Sequence, residues 1–240
     1  MKECSGSETY TMNATCQVSY KCLLVMHWFC HVDAMSDKWY RALMLNLQIF
    51  RLDYPQDESS AIAYDNTKQM RAFGLYMERK VSLYHALHFD ATSSKTHILE
   101  AFKILPYREE MIERLEILSA AISAAMKCDF TGFVYYEPLP CNALEAIMED
   151  LRNLCAASNA LVASMLKQFF GLPREDAQRC LMAYRAFADL MTQVQNWFNA
   201  VRTTCRAFKI EAPVLAIVNL FGRLLQQGIV LGFSHDFPHV

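Results

Sequence analysis

The sequence predicts an all-α domain: stacked antiparallel helical hairpins, about seven or eight helices in a solenoid-like or bundle-like arrangement. Three observations predict it. The 240 residues hold only 7 Gly and 7 Pro, so there are few places to break a helix or turn a hairpin of strands. Apolar residues make up 53% and charged residues 20%, which is enough to bury a core and too apolar for a disordered chain. Apolar positions recur at alternating steps of three and four through the second half, the spacing of one helix face. A single domain over 1–240 follows, with a core over about 15–227 and a short tail over 228–240.

Each element has a local reason. Residues 15–31 are apolar on most faces and read as a buried helix. Ser36 is predicted to cap a second helix, Asp37–Arg51, and Tyr54-Pro55 breaks the chain after it. A long helix is expected over Ser59–Phe89 even though Gly74 lies inside it, a residue that weakens a helix by about 1 kcal/mol relative to Ala. Asp90–Lys95 reads as a loop, and Pro106 suits the first turn of a helix running to Lys127 with Met111, Leu115, Leu118, Ile122 and Met126 on one face. Residues 129–140, with two prolines and a glycine, read as a linker. The next stripe is Leu144, Met148, Leu151, Cys155, Ser158, Val162, Met165 and Phe169. Gly171-Leu172-Pro173 then divides it from Tyr184, Phe187, Met191, Val194, Phe198 and Val201. Two such helices joined by a tight turn are expected to pack as an antiparallel pair. Pro213 opens a shorter last helix to about Gln227.

Charge and chemistry exclude several classes. The net charge is −2, from 23 basic and 25 acidic residues, and the only adjacent basic pair is Arg79-Lys80, so no stripe suited to nucleic acid exists. Nine cysteines, an odd number without a CxxC, point to free thiols in a reducing compartment. The start MKECSGSETYTMN lacks a signal-peptide core, and no apolar run approaches the roughly 20 residues of a membrane span. The cytosol is the expected location. His27 and His31 are four apart as in HExxH metal sites, but the intervening residues are Trp-Phe-Cys and the general-base Glu is absent. Two helical histidines at the core margin are the plainer reading, and His85 and His88 are read in the same way. There is no GxSxG, P-loop or GxGxxG, and Glu109-Glu110 and Glu149-Asp150 read as solvated helix faces. No catalytic residue, metal or cofactor is expected, and the chain is expected not to be an enzyme. The 13 Met and the aromatic stripes suit either a core or a groove for a partner helix.

Two segments carry a resemblance. In Met70–Asp90, Arg71, Phe73, Tyr76, Lys80, Tyr84, Phe89 and Asp90 fall without a gap on the central helix of the ANTH domain of clathrin-assembly endocytic adaptors. In Phe169–Phe198, Phe169, Phe170, Leu181, Tyr184, Phe187, Met191 and Thr192 do the same, and Tyr20-Lys21-Cys22-Leu23 is similar to an earlier family helix. The resemblance spans roughly residues 15–227 and implies a role in clathrin-mediated endocytosis, with clathrin coat components and phosphoinositide membranes as partners. It also implies, for some members, capture of a SNARE helix on the last helices. On that implication Met191, Val194 and Phe198 are candidate partner-binding residues. The family's Lys-x-x-x-Lys-Ala-Thr and Pro-Lys-x-Lys-His stretches, which hold phosphatidylinositol 4,5-bisphosphate, lie in two earlier helices. MKECSGSETYTMNATC offers only Lys2, so no lipid-binding residue is carried over. Two alternatives remain open: a helical interaction scaffold that has lost lipid binding, and an ANTH fragment lacking its first two helices.

Overall fold

The computed structural model describes residues 14–32, 35–52, 57–93, 109–128, 138–204 and 211–213. Among them are six α helices and two 3-10 turns, with no strand: α1 Ala14–Cys30, α2 Ser36–Met44, α3 Ala61–Leu87, α4 Glu109–Met126, α5 Pro138–Gln168 and α6 Arg174–Thr204. The predicted helix from Pro213 lies outside the described residues. No described helix is long and apolar enough to cross a membrane.

The periodic stripes form the core. Every predicted stripe residue of α5 and α6 is buried, and on α4 only Met126 is half-buried. The expected antiparallel pairing needs refinement. α5 and α6 touch after a tight 3-10 turn at Phe169–Gly171, but α4 is the broader partner of both. At the other end of the stack α3 packs on α4, while α1 fills the angle between α3 and α5.

Four local expectations are corrected. Ser36 does not cap α2: it is the helix's first residue, Met35 precedes it without a side-chain cap bond, and the helix ends at Met44. The chain then tightens into a 3-10 turn, Leu47–Phe50, because Phe50 is drawn under α3. Pro138 and Pro140 open α5 instead of ending a linker, since the first turn of a helix needs no donor from their nitrogens. The first helix is not buried all round: Leu23 and Cys30 face inward, whereas Val18, Val25 and Trp28 are exposed. His85 and His88 are exposed instead of lining the core margin.

α3 is the spine. The Ser60 hydroxyl accepts from the Ala63 amide at 3.1 Å and starts it at Ala61, two residues later than predicted. At its end His88 takes the left-handed conformation, φ 61°, and its amide donates to the Tyr84 carbonyl at 2.7 Å. Gly74 has a reason to be glycine: a Cβ there would stand 2.5 Å from the Phe50 carbonyl oxygen. α2 is clamped beside it by Tyr40 stacked on Tyr84, ring centroids 4.0 Å apart, and by the Trp39 indole donating to the Met26 carbonyl at 3.1 Å.

Candidate functional site

Three helices bring together five polar side chains, four of them buried. α1 supplies His27, and His31, exposed, stands one turn on, just past the helix's end; α3 supplies Tyr76 and Lys80, also one turn apart; α5 supplies Asp150. Asp150 Oδ2 accepts from the Tyr76 hydroxyl at 2.6 Å, Lys80 Nζ at 2.7 Å and His27 Nε2 at 2.8 Å. The Lys80 and Asp150 side chains are each 1% exposed, so this is a buried ion pair. Lys80 also donates to His31 Nε2 at 2.8 Å. The hydrogen-bond network then assigns the tautomers: His27 carries its proton on Nε2, and His31 carries its proton on Nδ1, which faces Asp90 Oδ2 at 3.9 Å. Asp90 itself closes the turn after α3 by accepting from the Thr92 amide at 2.9 Å, and Asn153 of α5 holds that turn by donating to the Thr92 carbonyl at 2.7 Å.

Glu149-Asp150 is therefore a correction. Glu149 is exposed as expected, but Asp150, read as solvated, is fully buried, because its position on the helix points between α1 and α3. Sequence reasoning missed it because its partners lie 70 and 123 residues away. The only available signal was that Tyr76 and Lys80 both belong to the matched family positions.

The electrostatics make a clasp. Burial alone would drive the Asp150 carboxyl up, but Lys80 and the adjacent, hydrogen-bonded His27 outweigh it and hold the group well below its ordinary range. Burial would likewise push Lys80 down; Asp150 and Asp90 overcome it and keep the ammonium charged. Burial and the adjacent Lys80 lower His27 against the opposing pull of Asp150, so this imidazole is neutral. Burial drives the Tyr76 phenol well up. None of these four groups changes charge readily near neutral pH.

His27, His31 and Asp150 also satisfy the spacing of a metal site, with donor atoms within 4.8 Å of one another. A metal does not fit. Lys80 Nζ already stands 3.2 Å from His27 Nε2, 2.8 Å from His31 Nε2 and 2.7 Å from Asp150 Oδ2, so the ammonium is the cation of this cluster. A metal ion would have to displace a buried, paired lysine.

Beside the clasp lies an open cavity of about 800 Å³ between α1 and α5, lined also by Thr92 and Ser93. Elsewhere the candidate residues Met191, Val194 and Phe198 are all 0% exposed. They face the core from α6, which packs against α4 and α5. The buried thiols are inert: burial pushes Cys155 up to about 12 and Cys30 up to about 11.

The described residues form a stack of helices locked by a buried ion pair. The chain belongs to the ANTH domain family, whose model matches residues 5–216. It is 24% identical over 212 residues to an Arabidopsis thaliana protein whose name assigns it provisionally to clathrin assembly, covering 82% of this chain and 35% of that protein. It is 23% identical to a clathrin coat assembly protein of Saccharomyces cerevisiae, covering 78% of this chain and 30% of the relative. It is 20% identical to the phosphatidylinositol-binding clathrin assembly protein of Homo sapiens, covering 78% and 28%. The chain thus spans about a third of the length of the relatives it matches.

Proposed function

We propose that this domain is the adaptor module of a clathrin-assembly protein, non-enzymatic, acting on the cytoplasmic face of phosphoinositide-containing membranes. The observation that carries the reading is the ANTH match over residues 5–216 together with plant, yeast and animal relatives named for clathrin assembly, one of them also for phosphatidylinositol binding. A helical stack in which no described helix is long and apolar enough to cross a membrane is consistent with a peripheral role.

The test is sedimentation of the purified chain with liposomes containing or lacking phosphatidylinositol 4,5-bisphosphate. Pelleting that requires the lipid and is lost in high salt is the expected result. A cooperatively folded chain that stays in the supernatant would instead support the second reading, an interaction scaffold without lipid binding. That reading draws on the balanced charge of 23 basic and 25 acidic residues, which supplies no obvious cationic face. Capture of a SNARE-like helix by Met191, Val194 and Phe198 is a separate proposal. It requires α6 to lift from α4, because these side chains are buried as the domain stands.

A further inference from the structure

His31 is the most exposed member of the clasp: its side chain is 31% exposed, whereas those of Lys80 and Asp150 are each 1% exposed. Its Nε2 faces two groups of opposite demand. Lys80 Nζ, 2.8 Å away, is an ammonium and can only donate. Asp150 Oδ1, 3.2 Å away, is a carboxylate oxygen and can only accept. One nitrogen cannot serve both. With its proton on Nδ1, His31 accepts from Lys80, and Asp150 Oδ1 is left buried without a donor among the described residues. On the other side of the ring, Asp90 Oδ2 lies 3.9 Å from Nδ1 and is a second buried acceptor without a donor among them. Two orphaned carboxylate oxygens on different elements thus flank one imidazole. Among the described residues, the titratable groups that face His31 are these two aspartates, Lys80 of α3, and His27 on its own helix, with ring centroids 4.8 Å apart. Glu145 and Glu149 of α5 line the same cavity as His31.

We propose that His31 is a proton-operated latch, which on protonation exchanges Lys80 for Asp150 and Asp90. The imidazolium carries an N–H on both nitrogens, one for each orphaned oxygen: Nε2 donates to Asp150 Oδ1, and Nδ1 turns toward Asp90 Oδ2. Two donors cannot stay 2.8 Å apart, so the contact between Lys80 and His31 opens. Lys80 is sealed in the core and tied to Asp150 Oδ2 at 2.7 Å, whereas His31 borders the cavity, so the imidazole is the group that moves. The move acts on the turn after α3. Asp90 Oδ1 accepts from the Thr92 amide at 2.9 Å and from its hydroxyl at 2.6 Å, and Asn153 of α5 donates to the Thr92 carbonyl. Thr92 lies one hydrogen bond beyond the latch and therefore reports its state. Charge favours the exchange, because a protonated imidazole and a carboxylate attract and a charged hydrogen bond is stronger than a neutral one.

The test is an NMR titration of the full 240-residue chain, nitrogen-labelled, from about pH 8 to about pH 5, the interval in which a histidine ordinarily changes charge. His31→Gln identifies the ring resonances. At the alkaline end Nε2 is expected to resonate as an acceptor nitrogen and Nδ1 as a protonated one. On acidification both are expected to become protonated, and the Thr92 backbone amide and Asn153 side-chain amide to shift with the same midpoint as the ring. In the His31→Gln chain that shift of Thr92 is expected to be lost. The proposal is overturned if the ring stays neutral across the interval, if it titrates without Thr92, or if Thr92 shifts equally in the variant. An Nε2 already protonated at the alkaline end would also overturn it, because the exchange would then need no acid. The ring measurement is made on the unmodified chain, so it stands whether or not the variant folds, and lipid binding does not enter it.

Discussion

Where α1, α3 and α5 meet, the core holds an ammonium, a carboxylate, an imidazole and a phenol, with a second imidazole at its exposed edge; where α6 lies on α4 and α5, its buried side chains include Phe187, Met191, Val194 and Phe198 and no charge. The second junction tolerates error in small amounts: an apolar side chain made smaller leaves a cavity, and its neighbours partly relax into it. The first junction is all or nothing. Its members are fixed by direction as well as by contact, and each one removed strands another in a medium that solvates charge poorly.

The largest expected effect breaks the polar junction. Asp150→Ala leaves Lys80 buried without its partner and is expected to destabilise the domain by about 3–5 kcal/mol, read from urea unfolding. Phe198→Ala at the apolar junction is expected to lose a comparable amount, about 3–5 kcal/mol, through its cavity. A second substitution separates the two. Adding Lys80→Met to an Asp150→Leu chain removes both charges together and should recover most of the loss, whereas no second substitution of that kind repairs Phe198→Ala. If the double replacement is no better than Asp150→Ala, the ion pair is not what makes this junction different.

The same contrast explains what was legible in the sequence. The stripe through Tyr184, Phe187, Met191, Val194, Phe198 and Val201 is a local signal, since each residue announces its face by its distance from the next, and all six are buried. The polar clasp is not local. His27 and His31 were visible as a pair four apart, but nothing within reach of either in the chain reveals that Lys80 fills the place a metal would take. Asp150 was unreadable for the same reason, standing next to Glu149 in sequence while facing the opposite environment. Partner-binding candidates chosen from the apolar stripe fell in the core, because a stripe shows that a face is covered but not by what.

Gly74 sharpens the comparison at the junction of the 3-10 turn with α3. Ala is the better helix former by about 1 kcal/mol, so helix propensity alone favours Gly74→Ala. The Phe50 carbonyl 2.5 Å from the added methyl opposes it, and that oxygen belongs to the backbone and cannot swing away. A net loss of about 1–3 kcal/mol is expected by chemical denaturation. A gain would mean that the turn slides freely on α3 and that close packing here is not constraining.

Acid should find the polar junction before the apolar one. His27 has its folded-state pKa lowered from 6.5, so the unfolded chain binds the proton more readily. The stabilisation this provides is complete above about pH 6.5 and is lost as pH falls through the folded value, by up to about 1.4 kcal/mol for each pH unit between the two. Asp150, also lowered, adds a loss of the same sign at more acidic pH. The unfolding midpoint is expected to drop between pH 7 and 5.5, and a His27→Gln chain, whatever its midpoint at neutral pH, should show a shallower drop over that interval. Equal slopes would place the sensitive group elsewhere.

The smallest effect lies at the end of α3, outside both junctions. His88 adopts φ 61°, a left-handed conformation that a β-carbon disfavours and glycine accepts without strain. Its side chain is exposed, so little packing is lost on removing it, and its amide bond to the Tyr84 carbonyl is made by the backbone. Glycine also has more freedom to lose on folding, which offsets part of the relief. The balance for His88→Gly is a gain of about 0.5–1 kcal/mol, visible as a rise in the denaturation midpoint with an unchanged denaturant slope. Because Asp90 follows two residues later and its turn is pinned to α5 through Thr92 and Asn153, a relaxed His88 should leave the clasp undisturbed. A loss of stability on this substitution would show that the left-handed cap is imposed by the pinned loop, and that the polar junction's influence extends past the residues that form it.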